Sequence, residues 1–160
     1  MVAIIGDIHG CYYTLVELYT KIRKSYPDIP VYCVGDLVDR GNYSYEVMNF
    51  IIENKIWITP GNHDYMFYHF FKDPSSIFAK SWFFNGNETT LESYENRQAA
   101  MFDHIDFIKE AKSGIPNMFG TIMLAVNPSG YPASVRRSLA FSVLCLKRVC
   151  TSSGISSSGI

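Results

Sequence analysis

Three short polar segments, each following an apolar run, contain the residue types that could perform chemistry. The central one, residues 35–41, places two carboxylates and a guanidinium between two glycines. Segments 6–10 and 61–64 add further carboxylates, histidines and an amide. The seven candidate residues are Asp7, His9, Asp36, Asp39, Arg40, Asn62 and His63. Carboxylate, imidazole and amide groups are ligands for divalent cations, and arginine suits phosphate oxygens, so we expect metal-assisted phosphate chemistry.

The apolar runs before these segments predict the strands that must position them. Residues 2–5, 31–34 and 56–58 are short apolar runs of the kind found in buried strands. Apolar spacing predicts helices over about 11–25 and 43–54, which gives a β-α-β-α-β order with parallel strands. Because parallel strands end at one edge of their sheet, the three segments should share one site in an α/β fold.

The following region is expected to pack against this sheet. Residues 65–84 are dense in aromatic side chains and are predicted to be partly helical. Such clusters could line a substrate groove, but dense aromatic segments usually fill core, so the packed arrangement is favoured. A further helix is predicted over about 94–112.

A metal site can be built from the first two segments. Asp7 and His9 are two residues apart, so on extended backbone their side chains would point the same way and could hold one divalent cation. Asp36, from the neighbouring strand, could bridge that cation to a second one. Asn62 could give the second cation a neutral oxygen, and two cations roughly 4 Å apart could clamp a phosphate.

Proton transfer is expected beside the metals. His63 follows Asn62 and could act as a general acid, with Asp39 accepting its other N–H and fixing the tautomer. Arg40 offers a planar fork for phosphate oxygens. Each piece alone has a simpler interpretation: Asp39 and Arg40 could form a surface ion pair, and Asn62-His63 a turn with a helix cap. Three complementary segments in the same strand-end context favour the shared site.

The three segments also resemble a known family. GDIHG, GDLVDRG and GNHD resemble the signature blocks of the calcineurin-like metallophosphoesterases. The Asp-Arg-Gly ending resembles the phosphoprotein phosphatase branch, which includes bacterial Ser/Thr protein phosphatases and symmetrical diadenosine tetraphosphatases. Residues 82–86 and 90–94 are similar to a Trp…Asn-Gly-Gly…Thr-Leu-x-x-Tyr stretch of bacterial members. The resemblance covers residues 1 to about 112.

The resemblance implies a fold, metals and residue roles. The implied fold is a β-sandwich flanked by helices, with two divalent metal ions of manganese, iron or zinc. The implied metal ligands are Asp7, His9, Asp36 and Asn62, and the implied catalytic residues are His63, Asp39 and Arg40. Asp7 and His9 would bind the first metal, and Asn62 the second.

The implied function is metal-dependent hydrolysis of phosphoric esters. The first expectation is a Ser/Thr phosphoprotein phosphatase-like enzyme, in which a metal-bound hydroxide attacks phosphorus and His63 acts as general acid. Symmetrical dinucleoside tetraphosphate hydrolysis is the alternative. An alternative of another class is a catalytically defective fragment that binds metal or phosphate. The expected partner is a phosphorylated protein or a small phosphoester.

After about residue 112 the chain departs from the family pattern. All 15 acidic residues lie at or before Glu110, while residues 113–160 contain four basic residues, ten serines and no histidine. The family completes its second metal site with two later histidines, so we expect a weak second site and an incomplete second sheet. Residues 1–112 are predicted to be the core, and 113–160 an atypical basic, Ser-rich tail, either poorly ordered or the product of a shifted frame or truncated gene.

Two histidines remain outside the three segments. His69 lies among aromatic residues and is expected to pack rather than bind metal. His104 lies on a predicted helix and is expected to be a surface or capping residue.

Charge and hydropathy limit the partners. The net charge is −1, which argues against broad electrostatic binding to nucleic acid. The apolar start is too short for a signal peptide, and no run approaches the roughly 20 apolar residues of a membrane helix. We therefore expect a cytoplasmic protein without nucleic-acid or membrane partners.

Overall fold

A parallel sheet brings the three polar segments to one edge. The computed structural model describes residues 1–113 and 144–146. Its strands are β1 (Ala3–Ile5), β2 (Val31–Val34), β3 (Trp57–Thr59) and β4 (Leu144–Leu146), in the order β3-β2-β1-β4. All three pairings are parallel, and Ile4 lies opposite Tyr32. The loops after β1, β2 and β3 therefore leave the same edge, as predicted.

Six helices accompany the strands in the described part of the chain. They are α1 (Tyr12–Ser25), α2 (Ser44–Glu53), α3 (Asn62–Lys72), α4 (Ile77–Trp82), α5 (Glu88–Ser93) and α6 (Gln98–Ser113). Helices α1 and α2 are the predicted crossover connections, and their bounds agree with the prediction to within a residue. The predicted helix over 94–112 begins later, because residues 94–97 form the turn after α5.

The α/β class is confirmed, and the described residues contain one sheet. Strand β4 belongs to the region predicted as a tail, and its backbone pairs in register with β1 from Ala3 to Ile5. Apart from β4, two expectations concern residues outside the described ones. They are the incomplete second sheet and the poorly ordered tail.

The aromatic segment packs as expected. Phe67 and Trp82 are both fully buried, and their ring centroids are 5.5 Å apart. His69 lies between aromatic rings, stacked on Phe78 at 5.3 Å, which agrees with the expectation that it packs. Phe78, Phe83 and Phe84 are exceptions, at 44%, 59% and 89% exposure. The buried part of the segment includes Trp82, the last residue of α4.

The expectation for His104 is wrong. Its side chain is 3% exposed, and its ring bonds the Tyr94 hydroxyl at 2.7 Å and Asn49 Oδ1 at 3.2 Å. The reason is its position on α6: Met101, His104 and Ile108 share one helical face, and that face is the buried one.

Among the described residues, no helix has the length and apolar character needed to cross a membrane.

Candidate active site

The loops after β1 and β2 are joined by backbone hydrogen bonds. The amides of Ile8 and His9 donate to Asp36 O at 3.0 and 2.8 Å, and Gly41 N donates to His9 O at 3.0 Å. A Cβ at Gly41 would overlap the carbonyl oxygen of His9, so only glycine permits this approach. A Cβ at Gly10 would likewise overlap Gly41 O, so Gly10 and Gly41 are required for the loops to meet.

Asp64 joins the loops after β2 and β3. Its carboxylate is fully buried and accepts hydrogen bonds from Leu37 N at 2.9 Å and Gly61 N at 2.8 Å. Burial raises the pKa of Asp64 from 3.8 to about 7, although its backbone N–H donors act in the opposite direction. The three-segment pattern indicates no role for Asp64. Its place three residues after the N-cap Gly61 is the capping-box position, which was the available signal.

Four of the candidate residues have strained backbone. The φ angles are 46° at His9, 47° at Asp36, 70° at Asp39 and 68° at Arg40. Each left-handed residue with a side chain costs about 1–2 kcal/mol, although Asp and His tolerate this region better than most. Such strain persists where surrounding bonds determine the conformation, and it concentrates at functional sites.

His63 and Asp39 form a buried acid–base pair. Asp39 is fully buried, and its Oδ2 lies 2.8 Å from His63 Nδ1. Because a carboxylate only accepts, His63 Nδ1 carries the donated hydrogen, and the neutral ring leaves its Nε2 as an acceptor. Arg40 Nη2 lies 3.0 Å from that Nε2. The simpler interpretation of Asp39 and Arg40 as a surface ion pair is wrong, because Asp39 faces the interior.

His9 and Asp36 lie beside this pair. His9 Nδ1 donates to the carbonyl of Val38 at 3.0 Å, which leaves His9 Nε2 as the ring nitrogen with a free lone pair. That Nε2 lies 3.9 Å from Asp36 Oδ2 and 2.8 Å from Arg40 Nη1. Ligand atoms of His9, Asp36 and His63 all lie within 4.8 Å of one another. The Nε2 atoms of both imidazoles already face a cation, the guanidinium of Arg40. Two imidazoles and a carboxylate fit a divalent metal of the transition series.

Two further buried side chains, Trp82 and Thr90, hydrogen-bond the Asp39 carboxylate. Trp82 Nε1 donates to Asp39 Oδ2 at 2.8 Å, and Thr90 Oγ1 donates to Asp39 Oδ1 at 2.7 Å. Both belong to the segments that resemble the bacterial Trp…Thr stretch. The resemblance marked their positions, but nothing local to those segments predicts that they meet Asp39.

The chain matches the model of a known protein family. The family model of the calcineurin-like phosphoesterases matches residues 1–132. This chain belongs to the calcineurin-like phosphoesterase family. The match extends past residue 112, where the resemblance seen in the sequence segments stops.

Curated relatives from this family share the first part of the chain. A bis(5'-nucleosyl)-tetraphosphatase PrpE [asymmetrical] of Bacillus mycoides (strain KBAB4) is 35% identical over 105 residues, which is 58% of this chain and 41% of the relative. A protein of the same name from Anoxybacillus flavithermus (strain DSM 21510 / WK1) is 35% identical over 104 residues, covering 58% and 40%. The chain thus spans about two fifths of the length of these relatives.

The calcineurin-like resemblance implies two further metal ligands, Asp7 and Asn62. Asp7, in the loop after β1, and Asn62, the first residue of α3, are both exposed. Within the described residues, no hydrogen bond or ion pair joins either side chain to His9, Asp36 or His63. The extended backbone assumed between Asp7 and His9 is wrong, because the chain turns at His9 to follow the loop after β2. Their metal-binding roles remain predictions.

Proposed function

We propose that this chain is a metal-dependent phosphoric ester hydrolase that acts on dinucleoside polyphosphates, with His63 as general acid. The observation that carries the proposal is the buried His63–Asp39 pair, with Arg40 at the open Nε2 of His63. Membership of the calcineurin-like phosphoesterase family supports the reaction class. The names of the relatives support the substrate class.

Arg40 would bind the phosphate. Its side chain is exposed at the mouth of the site, and its Nη1 and Nη2 lie 2.8 and 3.0 Å from the Nε2 atoms of His9 and His63. Phosphate oxygens accept hydrogen bonds from a guanidinium fork more strongly than neutral imidazoles do, because the acceptor is charged. When phosphate binds, Nη1 and Nη2 of Arg40 would therefore donate to two phosphate oxygens instead of to the histidine Nε2 atoms. Arg40 would then hold the phosphate next to His63.

His63 would protonate the leaving group through Nε2. Its Nδ1–H is held by Asp39, so Nε2 is the ring nitrogen that can exchange a proton at the mouth of the site. In a dinucleoside polyphosphate the leaving group is a phosphate oxygen of the remaining nucleotide. A proton on Nε2 delivered to that oxygen would complete the cleavage, and Asp39 would stabilise the imidazolium before transfer.

The metal ligands would be Asp7, His9, Asp36 and Asn62. Divalent cations bound there would neutralise phosphate charge and lower the pKa of a bound water. Because residues 113–160 contain no histidine, we expect the second site to bind metal weakly. A ring nitrogen of His63 also lies within 4.8 Å of the ligand atoms of His9 and Asp36. His63 could therefore bind a metal together with them instead of serving as the acid.

The relatives change the preferred substrate. The Asp-Arg-Gly ending first suggested a phosphoprotein, with symmetrical tetraphosphate hydrolysis as the alternative. The two relatives described above are named asymmetrical bis(5'-nucleosyl)-tetraphosphatases. Asymmetrical cleavage of four phosphates gives a monophosphate and a triphosphate, whereas symmetrical cleavage gives two diphosphates, so product analysis separates the two activities.

The test is hydrolysis of diadenosine tetraphosphate by the purified 160-residue chain with Mn²⁺. We expect AMP and ATP as products, and loss of turnover in Asp36→Asn and His63→Asn. The matched control is Asp28→Asn, which changes an exposed carboxylate before β2, at the other end of that strand from Asp36, and should keep full activity. Titration calorimetry with Mn²⁺ should show metal affinity retained in His63→Asn if His63 is the acid, and lost if it is a ligand.

Other outcomes would replace the proposal. Two ADP molecules would mean the symmetrical reaction, and turnover of a phosphoserine peptide alone would mean a protein phosphatase. Metal binding without turnover of any of these substrates would identify a catalytically defective, metal-binding chain.

A further inference from the structure

The carboxylate of Asp39 accepts three side-chain hydrogen bonds in the protein interior. His63 Nδ1 and Trp82 Nε1 each lie 2.8 Å from Oδ2, and Thr90 Oγ1 lies 2.7 Å from Oδ1. Asp39, Trp82 and Thr90 are all fully buried. The last two contacts join Asp39 to residues that lie 43 and 51 positions later in the chain.

The donors around Asp39 leave one consistent arrangement of hydrogens. Trp82 Nε1 can only donate, so it must donate to Oδ2. The single hydroxyl hydrogen of Thr90 is used on Oδ1, and its oxygen accepts from Asp39 N at 2.9 Å and from the Ser44 hydroxyl at 3.0 Å. Each carboxylate oxygen therefore has a donor other than His63: Trp82 on Oδ2 and Thr90 on Oδ1. A carboxylate held in this way keeps Oδ2 at 2.8 Å from His63 Nδ1, where it can accept the Nδ1–H.

We propose that Trp82 and Thr90 are positioning residues for the acid pair: they fix the Asp39 carboxylate so that His63 keeps its Nδ1–H toward Asp39 and turns Nε2 to the phosphate. Neither residue would touch the substrate. The inference rests on the role proposed above for His63.

Packing makes both residues rigid supports. The Trp82 ring ends α4 and packs against Phe67 at 5.5 Å and Phe70 at 4.9 Å between ring centroids. Thr90 lies in α5, which is tied to α2 through Ser44. A buried ring and a bonded hydroxyl cannot follow a rotation of Asp39 without breaking these contacts. Helices α4 and α5 thus hold the acid pair in place through their hydrogen bonds to Asp39.

Two substitutions remove the donors and keep the shapes. Trp82→Phe removes the indole N–H and retains an aromatic ring, and Thr90→Val removes the hydroxyl at almost constant volume. Trp57→Phe is the matched control, because Trp57 is 54% exposed on β3. Thr90→Ser is the second control, because it keeps the hydroxyl and should behave as the wild type does.

The measurement is ¹⁵N NMR of the His63 imidazole in the full metal-depleted chain. We expect the wild type and both controls to hold the Nδ1–H form, with slow exchange of that hydrogen with water. In Trp82→Phe and Thr90→Val the exchange should be about tenfold faster, with a mixed tautomer population. Unchanged exchange and tautomer in both variants would overturn the inference, since the two residues would then only fill space.

Folding failure of the variants would still leave a decisive measurement on the wild type. The chain has two tryptophans, so the indole N–H of Trp82 is compared directly with that of exposed Trp57. Exchange of the Trp82 N–H as fast as that of Trp57 would overturn the inference. The NMR readout needs no turnover. If the wild-type chain hydrolyses none of the substrates, the proposed function is contradicted. A changed His63 tautomer in Trp82→Phe and Thr90→Val would still support the positioning role.

Discussion

The two sides of the site are built differently. On the acid side, Asp39 is fully buried and receives donors from α3, α4 and α5. On the metal side, Asp7 and Asn62 are exposed, and the two loops meet mainly through backbone contacts. The acid side is thus determined by side-chain bonds in the interior, whereas the metal side depends on where the backbone of the loops places its ligands. Mutations on the two sides should therefore have different consequences.

The largest effect is expected for Asp36→Asn on metal binding. Asp36 supplies the carboxylate of the ligand cluster, so its removal should weaken Mn²⁺ binding more than about 100-fold, beyond the range seen for outer partners of metal ligands. Titration calorimetry on the full chain measures this affinity. Asp28→Asn, which removes an exposed carboxylate, should bind Mn²⁺ as the wild type does.

Asp39→Asn is the counterpart that separates the two sides. The amide of Asn has one oxygen and one N–H₂ group, so at least one of the donors His63, Trp82 and Thr90 would lose its acceptor. The free energy of unfolding should therefore fall by about 2 kcal/mol. Mn²⁺ affinity should change by no more than about threefold. A loss of metal affinity in Asp39→Asn as large as that in Asp36→Asn would contradict the division into two sides.

A backbone change should act on the metal side alone. In Gly41→Ala the new Cβ would overlap backbone atoms of His9 and Gly10, so the first two loops must separate. We expect a loss of about 1–2 kcal/mol in the free energy of unfolding, measured by urea denaturation, together with weaker Mn²⁺ binding. Gly6→Ala is the matched control, because nothing lies within 4 Å of its added Cβ. Equal behaviour of the two variants would show that loop contact does not set the metal site.

The sequence was sufficient to predict the parts of the site that depend on local pattern. Apolar runs followed by Gly-Asp or Pro-Gly placed Asp36, Asp39 and His63 at one sheet edge, because parallel strands with helical crossovers leave few alternatives. The glycines marked the close approach of the loops without identifying which atoms meet. The turn at His9 was missed, because its left-handed backbone comes from hydrogen bonds to the loop after β2.

Contacts between distant segments could not be predicted in the same way. Trp82 and Thr90 reach Asp39 across 43 and 51 residues, and their pairing depends on how α4 and α5 dock, which no local period encodes. His104 was misjudged for a related reason. A histidine beside apolar residues on a helix can face either way, and a hydroxyl and an amide on neighbouring elements make burial of His104 possible.

The smallest expected effect concerns His104 and pH. Its neutral ring is satisfied, with the Tyr94 hydroxyl at Nδ1 and Asn49 Oδ1 at Nε2. Burial lowers the pKa of His104 below 6.5, so protonation is easier in the unfolded chain. Its contribution to stability is therefore present above pH 6.5 and is lost as pH falls through the folded-state pKa.

This sign predicts the outcome for His104→Gln, which cannot titrate in this range. Between pH 7 and 5 the free energy of unfolding should fall less steeply in His104→Gln than in the wild type, as measured by urea denaturation at each pH. Tyr94→Phe keeps the imidazole and should keep the steeper fall, although it lowers stability at every pH by removing a buried partner. Equal slopes in wild type and His104→Gln would mean that His104 takes up its proton equally well in both states. Because His104 bonds neither Asp39 nor Asp36, Mn²⁺ affinity at pH 7 should be unchanged in both variants, so this pH effect reports on the helical packing behind the site and not on either side of it.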